Sequence, residues 1–234
     1  MRIAILSFSA LNSSEEQKIV LAVKRAGMTP EKCLWNETDK ELKKYAGYIL
    51  AGNFSDPAAP NRMMQEVRSE AHLGKPVLGI CHGAQILLET GLVPGVENDK
   101  PCITLTTDTH SSEEIRAHMR VSDHYQLNAF TRRLNPKNIL SISPNDPKKY
   151  FVIPPALLAE MQLLGSSVFL YCDANGKEFS DNAIAAVSNK TGNVMAMIAH
   201  PGFTPEGDPV FQSMRDYIQE GYVQRVLPMN YYPR

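Results

Sequence analysis

Five residues carry the clearest chemical signal in the chain: Gly79-Ile80-Cys81-His82-Gly83. Small residues stand two positions either side of one cysteine, with an apolar Pro76-Val77-Leu78 before it and Ile86-Leu87-Leu88 after it. That pattern is the thiol form of a nucleophile elbow, in which a strand turns sharply into a helix and presents a side chain at the apex. The glycines are needed because strand and helix approach closely there. A thiol at a helix N-terminus ionises more easily, and the N–H groups of the first turn are positioned to hold an oxyanion. A cysteine nucleophile also needs a group that takes and returns protons. His200 fits, since it ends the apolar run 194–199 and is followed by Pro201-Gly202, where the chain leaves a sheet. The His82 backbone N–H is one expected oxyanion donor. A second is expected from another strand end, Ala51-Gly52-Asn53.

The elements needed to position these residues are legible from the pattern. Residues 2–8 read as a strand, and Ser13-Ser14-Glu15-Glu16 as a helix cap with acidic first-turn residues. Ile19, Val20, Val23 and Ala26 follow at helical spacing, and Gly27 ends that helix. Further strands are expected at 33–35, 48–50 and 77–80, with a polar helix over 39–44 and another helix over 61–73. Alternation at this pitch predicts an α/β fold, a doubly wound and mostly parallel sheet with helices on both faces, flavodoxin-like in kind. Strand C-terminal ends would then share one rim, with Gly52 and Cys81 on it. The second half is less regular. Strands or turns are expected over 101–109, 119–126, 134–143 and 151–153, a helix over 156–164, strands over 167–172, 183–188 and 194–199, and a late helix over 211–220. No repeat or interdomain linker breaks the chain, so residues 1–234 are read as a single domain.

Composition narrows the function classes. A net charge of −1 gives no electrostatic footprint for nucleic acid or an anionic membrane surface. No apolar run reaches the ~18 residues a membrane-spanning helix needs. The four cysteines, Cys33, Cys81, Cys102 and Cys172, form no C-x-x-C pair. With the strand-like start at Met1, free thiols in the cytoplasm are expected. His110, His118 and His124 lie in a polar stretch that matches no standard ligand spacing, so no metal is expected. No Walker or G-x-G-x-x-G sequence offers a nucleotide site.

These residues resemble a known family, the class I (triad-type) glutamine amidotransferases. Within it, the glutaminase subunits of phosphoribosylformylglycinamidine synthase, from purine biosynthesis, are the most similar branch. The resemblance rests on residues 50–55 (Leu-Ala-Gly-Asn-Phe-Ser), 79–87, 89–95 (Glu-Thr-Gly-Leu-Val-Pro-Gly) and 192–201, in the same order over most of the chain. It implies that Cys81 attacks the side-chain amide of glutamine and forms a thioester. Gly52, Asn53 and His82 would hold the oxyanion, Gln85 would help bind glutamine, and His200 would move protons. The ammonia would pass to a separate synthetase subunit, on which ATP and Mg are expected; this chain itself would carry no cofactor.

The sequence departs from that family at informative places. The family's His-Pro-Glu reads His200-Pro201-Gly202 here, and the next acids are Glu206 and Asp208. An orienting carboxylate fixes the histidine's tautomer and stabilises its cation. Glu206 is the expected substitute. A His-Gly-Glu-Gly segment is absent, the corresponding region reading Ile153-Pro154-Pro155-Ala156. Asn53 replaces a second glycine, and His82 an asparagine. The chain is therefore read as a divergent member. The rival readings are another cysteine hydrolase or amidase of the same fold, and a catalytically impaired interaction subunit.

Overall fold

The structure, a computed structural model, describes residues 1–7, 13–35, 41–51, 62–96, 99–107, 118–123, 125, 127–142, 149–179 and 183–222. Its centre is a nine-stranded sheet. Strands β1 (Arg2–Ser7), β2 (Thr29–Leu34), β3 (Gly47–Leu50), β4 (Val77–Ile80) and β11 (Val194–Met197) run parallel in the spatial order β2-β1-β3-β4-β11. An antiparallel flank continues from β11 through β10 (Ile184–Ser188), β9 (Ser167–Cys172), β6 (His118–Val121) and β7 (Ile139–Ser141). Strands β5 (Thr104–Thr107) and β8 (Lys149–Val152) pair separately. The α/β architecture expected from the sequence is present, and its parallel half carries the elbow.

Alternation along each strand explains why both faces are covered. Ile3 and Ile5 of β1 face one core with Ile49, Leu78, Ile80, Met195 and Met197. That face is covered by helix α1 (Ser14–Arg25), through Ile19 and Val23, and by α5 (Asp208–Gln219), through Phe211 and Met214. Ala4 and Leu6 face the opposite core with Tyr48, Leu50, Val77 and Ala196. There α2 (Arg62–His72) contributes Met64 and Val67, and α3 (His82–Glu89) contributes Leu87. Period-two side chains buried on both sides are the mark of a sheet sandwiched between helix layers.

The capping reading holds. The Ser13 hydroxyl accepts from the Glu16 backbone N–H at 3.1 Å, Glu15 and Glu16 sit in the first turn, and Gly27 follows with φ of +80°. Glu16 itself is buried, where it accepts from Ser7 Oγ and pairs with Lys32 at 2.8 Å.

Several boundaries differ from expectation. The second strand begins at Thr29 rather than Cys33, because pairing with β1 runs from Arg2↔Thr29 to Ser7↔Leu34 and extends it toward polar residues. The expected polar helix over 39–44 is a single 3-10 turn, Leu42–Lys44, with residues 36–40 outside the described set. The strand expected over 134–143 is confined to β7, after a turn in which Asn138 Oδ1 accepts from the Asn135 N–H. Helix α4 (Pro155–Leu163) starts at a proline in its first turn, where a missing N–H costs nothing.

Candidate functional site

Parallel registry sets the site. Leu6 pairs with Leu50, Leu50 with Gly79 and Ile80 with Met197, so β1, β3, β4 and β11 end together on one rim. Cys81 follows β4 there, tied by its N–H to the Met197 carbonyl at 2.8 Å. Its backbone has φ of 53° and ψ of −106°, a conformation that side-chain-bearing residues rarely adopt. Strain of this kind costs on the order of 1–3 kcal/mol and persists only where the surroundings impose it.

The two flanking glycines show what imposes it. A Cβ on Gly79 would lie 2.5 Å from the Gly83 carbonyl oxygen, and one on Gly83 would lie 2.2 Å from the Leu50 carbonyl oxygen. The first turn of α3 therefore rests directly on the end of β3, two residues before Gly52. Gly52 and Asn53, the expected second oxyanion donors, lie outside the described residues. His82 is the first residue of α3, where helix N–H groups lack intrahelical acceptors. Gln85 is exposed one turn later and donates to Glu89 Oε1 at 2.7 Å.

His200 follows β11 on the same rim and is 1% exposed. Neither ring nitrogen has a hydrogen-bond partner among the described residues. The Cys81 sulfur is thus not its partner, and neither is a carboxylate. Burial chiefly, then the nearby His82 and Lys18, hold its pKa down to about 4. Its ring packs on Phe203 at a centroid separation of 4.6 Å, and the Lys18 ammonium sits 3.9 Å from the Phe203 centroid on that ring's face.

The expected orienting acid is not at the ring. Glu206 is exposed in the 3-10 turn Pro205–Gly207. Asp208 is buried but committed elsewhere, as a two-pronged acceptor for Arg25 at 2.7 and 2.6 Å. Gly202 packs toward Ile19 of α1 and Phe211 of α5, and Gly207 abuts the Pro201 carbonyl. Position 202, where the family resemblance would put glutamate, holds no side chain.

One contact to the thiol was not foreseen. The His82 Nδ1 lies 3.7 Å from Cys81 Sγ. The signal was its adjacency in sequence; the reading above weighed only its backbone. Lys18 and Phe203 likewise had no sequence mark. Among the described residues no cluster of three His, Cys, Asp or Glu side chains could hold a metal ion, and no helix is long and apolar enough to cross a membrane. His110 and His124 lie outside the described residues.

Comparison with known proteins bears directly on this rim. Residues 1–208 match the family described as CobB/CobQ-like glutamine amidotransferase domain. A phosphoribosylformylglycinamidine synthase subunit PurQ from Methanothrix thermoacetophila is 29% identical over 262 residues, covering 94% of this chain and 99% of the relative. The Aquifex aeolicus protein of that name is 33% identical over 183 residues, covering 71% and 75%. Among solved structures, PurLQS from Thermotoga maritima superposes with a TM-score of 0.71 over 93% of this chain and 98% of that one, at 24% identity, a likeness of fold. With a strained cysteine elbow at the end of a parallel strand and a histidine on the adjoining rim, the chain belongs to the glutamine amidotransferases of the CobB/CobQ-like family, in the branch of the PurQ subunits.

Proposed function

We propose that this chain is the glutaminase subunit of phosphoribosylformylglycinamidine synthase. It hydrolyses glutamine to glutamate and ammonia at Cys81 and delivers the ammonia to a separate synthetase subunit. The observation that carries this reading is the Cys81 elbow, whose φ of 53° is imposed by the Gly79–Gly83 and Gly83–Leu50 approaches. That geometry sets a buried thiol at the rim, at the N-terminus of α3, in a chain of this family.

The thiolate attacks the glutamine side-chain carbonyl carbon. The oxyanion is held by the His82 N–H and by a second donor from Gly52 or Asn53. Ammonia leaves, a γ-glutamyl thioester remains on Cys81, and water hydrolyses it to glutamate. Gln85 stands one helical turn from Cys81, on the exposed face of α3, where it would meet the substrate. ATP and Mg belong to the synthetase, which would use the ammonia to aminate formylglycinamide ribonucleotide.

The test is glutamate release from glutamine by the full chain, alone and with the synthetase, for the native sequence and Cys81→Ala. Release that Cys81→Ala abolishes is expected. No release in either condition would sink the proposal.

A second reading is favoured by His200, which among the described residues has neither carboxylate nor thiol partner. In that reading the chain is an impaired glutaminase that serves mainly as an interaction subunit. Synthetase turnover that needs this chain with free ammonia, but gains nothing from glutamine, would mark it.

A further inference from the structure

The connection after β11 brings an aromatic ring back against His200. Met197 ends the strand, and His200 opens the 3-10 turn Pro201–Phe203 with φ of −100° and ψ of 92°. Residues three apart come side by side in such a turn, and the Phe203 N–H donates to the His200 carbonyl at 3.5 Å. The two ring centroids are 4.6 Å apart, with planes tilted by 41°. A third group reaches the stack from α1. Gly202 lies against Ile19, and the residue before it on the helix, Lys18, sets its ammonium over the Phe203 face, 3.9 Å from the centroid. A cation within about 6 Å of a ring centroid is attracted by the ring's quadrupole. Exposure falls through the stack, from exposed Lys18 through half-buried Phe203 to buried His200.

We propose that Phe203, clamped by Lys18, is the positioning residue for the His200 ring and takes over the orienting role of the carboxylate missing at position 202. The proposal rests on glutamine hydrolysis at Cys81 being the reaction, with His200 as the residue that moves its protons. An orienting carboxylate does two things for a histidine: it holds the ring's orientation and it stabilises the imidazolium. Here the two roles are separated. Among the described residues neither ring nitrogen is hydrogen-bonded, while one face of the ring rests on Phe203. A ring held by its face keeps its plane and leaves its edge to the groups that exchange a proton. The second role is not supplied, because burial, His82 of α3 and Lys18 of α1 all disfavour the cation. The stack therefore holds a neutral ring, the form that accepts a proton.

A ring that merely fills the seam between α1 and the turn after β11 would behave differently. Space-filling affects stability, and leucine serves nearly as well. Positioning affects the reacting step and leaves substrate binding alone. A clamp also couples Lys18 to Phe203, so that removing the cation has an effect only while the ring is there.

The experiment measures glutamate release by the full chain together with the synthetase subunit, for substitutions at both positions. Phe203→Leu should lower kcat about tenfold with KM within about twofold, because misplacement by a fraction of an ångström is costly at a reacting centre. Phe203→Tyr, which restores the ring, should recover kcat to within about threefold of native. Lys18→Met should lower kcat about threefold, and Lys18→Arg, which restores the cation, should recover it. The lost charge alone would ease protonation of His200, so a fall in kcat is the mark of the clamp. In the Phe203→Leu background Lys18→Met should lower kcat no further. Urea midpoints establish that each variant folds. A second measurement reads the ring itself: the carbon-13 relaxation order parameter of the His200 Cε1–H, assigned with His200→Asn. It should fall in Phe203→Leu and in Lys18→Met. Phe203→Leu with kcat within about twofold of native, Lys18→Met with kcat at or above native, or an unchanged order parameter overturns the proposal. If the native chain releases no glutamate, the glutaminase reading falls alone, and the order parameter decides whether Phe203 positions the ring.

Discussion

Gly83→Ala sets two opposing effects against each other at the most constrained point of the site. Gly83 is the second residue of α3, and alanine in a helix interior is favoured over glycine by up to about 1 kcal/mol. The added methyl, however, would sit 2.2 Å from the Leu50 carbonyl oxygen, 2.7 Å from its carbon and 2.8 Å from Leu50 Cβ. The first two are backbone atoms of a central strand and cannot swing aside. Relief requires the first turn of α3 and the end of β3 to separate by about 1 Å, and overpacking of this kind costs about 1–3 kcal/mol. With backbone on both sides the upper part of that range applies. The net expectation is destabilisation by about 2 kcal/mol, or roughly 4–8 °C in melting temperature for a chain of this size. The same shift moves Cys81 and the His82 N–H relative to the strand end that leads to Gly52. Misplacement by about 1 Å costs on the order of a hundredfold in turnover. Urea denaturation and glutamate release measure the two effects separately. Gly202→Ala is the control, because its methyl would meet Ile19 at an ordinary 3.4 Å. A Gly83→Ala chain that melts at or above the native temperature and turns over within twofold would refute this account of the elbow.

Three further outcomes follow from the same packing. His200 has an ordinary pKa of 6.5 when unfolded and about 4 when folded, so between those values the unfolded chain binds more protons. Stability from this residue is intact above pH 6.5 and lost as pH falls toward 4, by about 2 kcal/mol between pH 7 and pH 5. Urea midpoints for His200→Asn should show a correspondingly flatter acid limb, and an unchanged slope would contradict the burial argument. Cys81→Gly should be more stable than Cys81→Ala by about 1 kcal/mol, because glycine adopts the positive φ without strain; equal midpoints would remove strain from the elbow. Asp208→Asn should cost about 1–2 kcal/mol through the lost two-pronged contact with Arg25, in double-mutant cycles with Arg25→Ala. Turnover should not change, and a large loss of turnover without loss of stability would return Asp208 to the active site.

The elbow was legible because its requirements are local. A tight strand-to-helix turn needs glycines at fixed offsets from the cysteine, and Gly79 and Gly83 meet Gly83 and Leu50 backbone oxygens for that reason. Burial along the whole of β3 and β4 was equally visible, since an all-apolar run such as Tyr48-Ile49-Leu50 has only buried positions to occupy. The edge strand β2 was not visible over its length. Thr29-Pro30-Glu31-Lys32 has no apolar pattern, and it is a strand because β1 offers it a partner. The environment of His200 was hidden for a related reason. Whether Glu206 or Asp208 reaches a ring several residues away depends on where α1 and α5 direct the connecting chain, and no spacing rule encodes that.

The fate of the histidine therefore turns on a side chain that is absent. With glycine at 202, α1 closes against the segment at Ile19, and the buried acid next along the chain, Asp208, is drawn to Arg25 at the far end of the same helix. A carboxylate shared between a guanidinium and a distant imidazole would satisfy neither, and the two-pronged geometry belongs to arginine. Burial leaves His200 neutral near pH 7, and among the described residues neither ring nitrogen has a hydrogen-bond partner. At the sulfur itself the first turn of α3 begins, and the His82 Nδ1 lies 3.7 Å away.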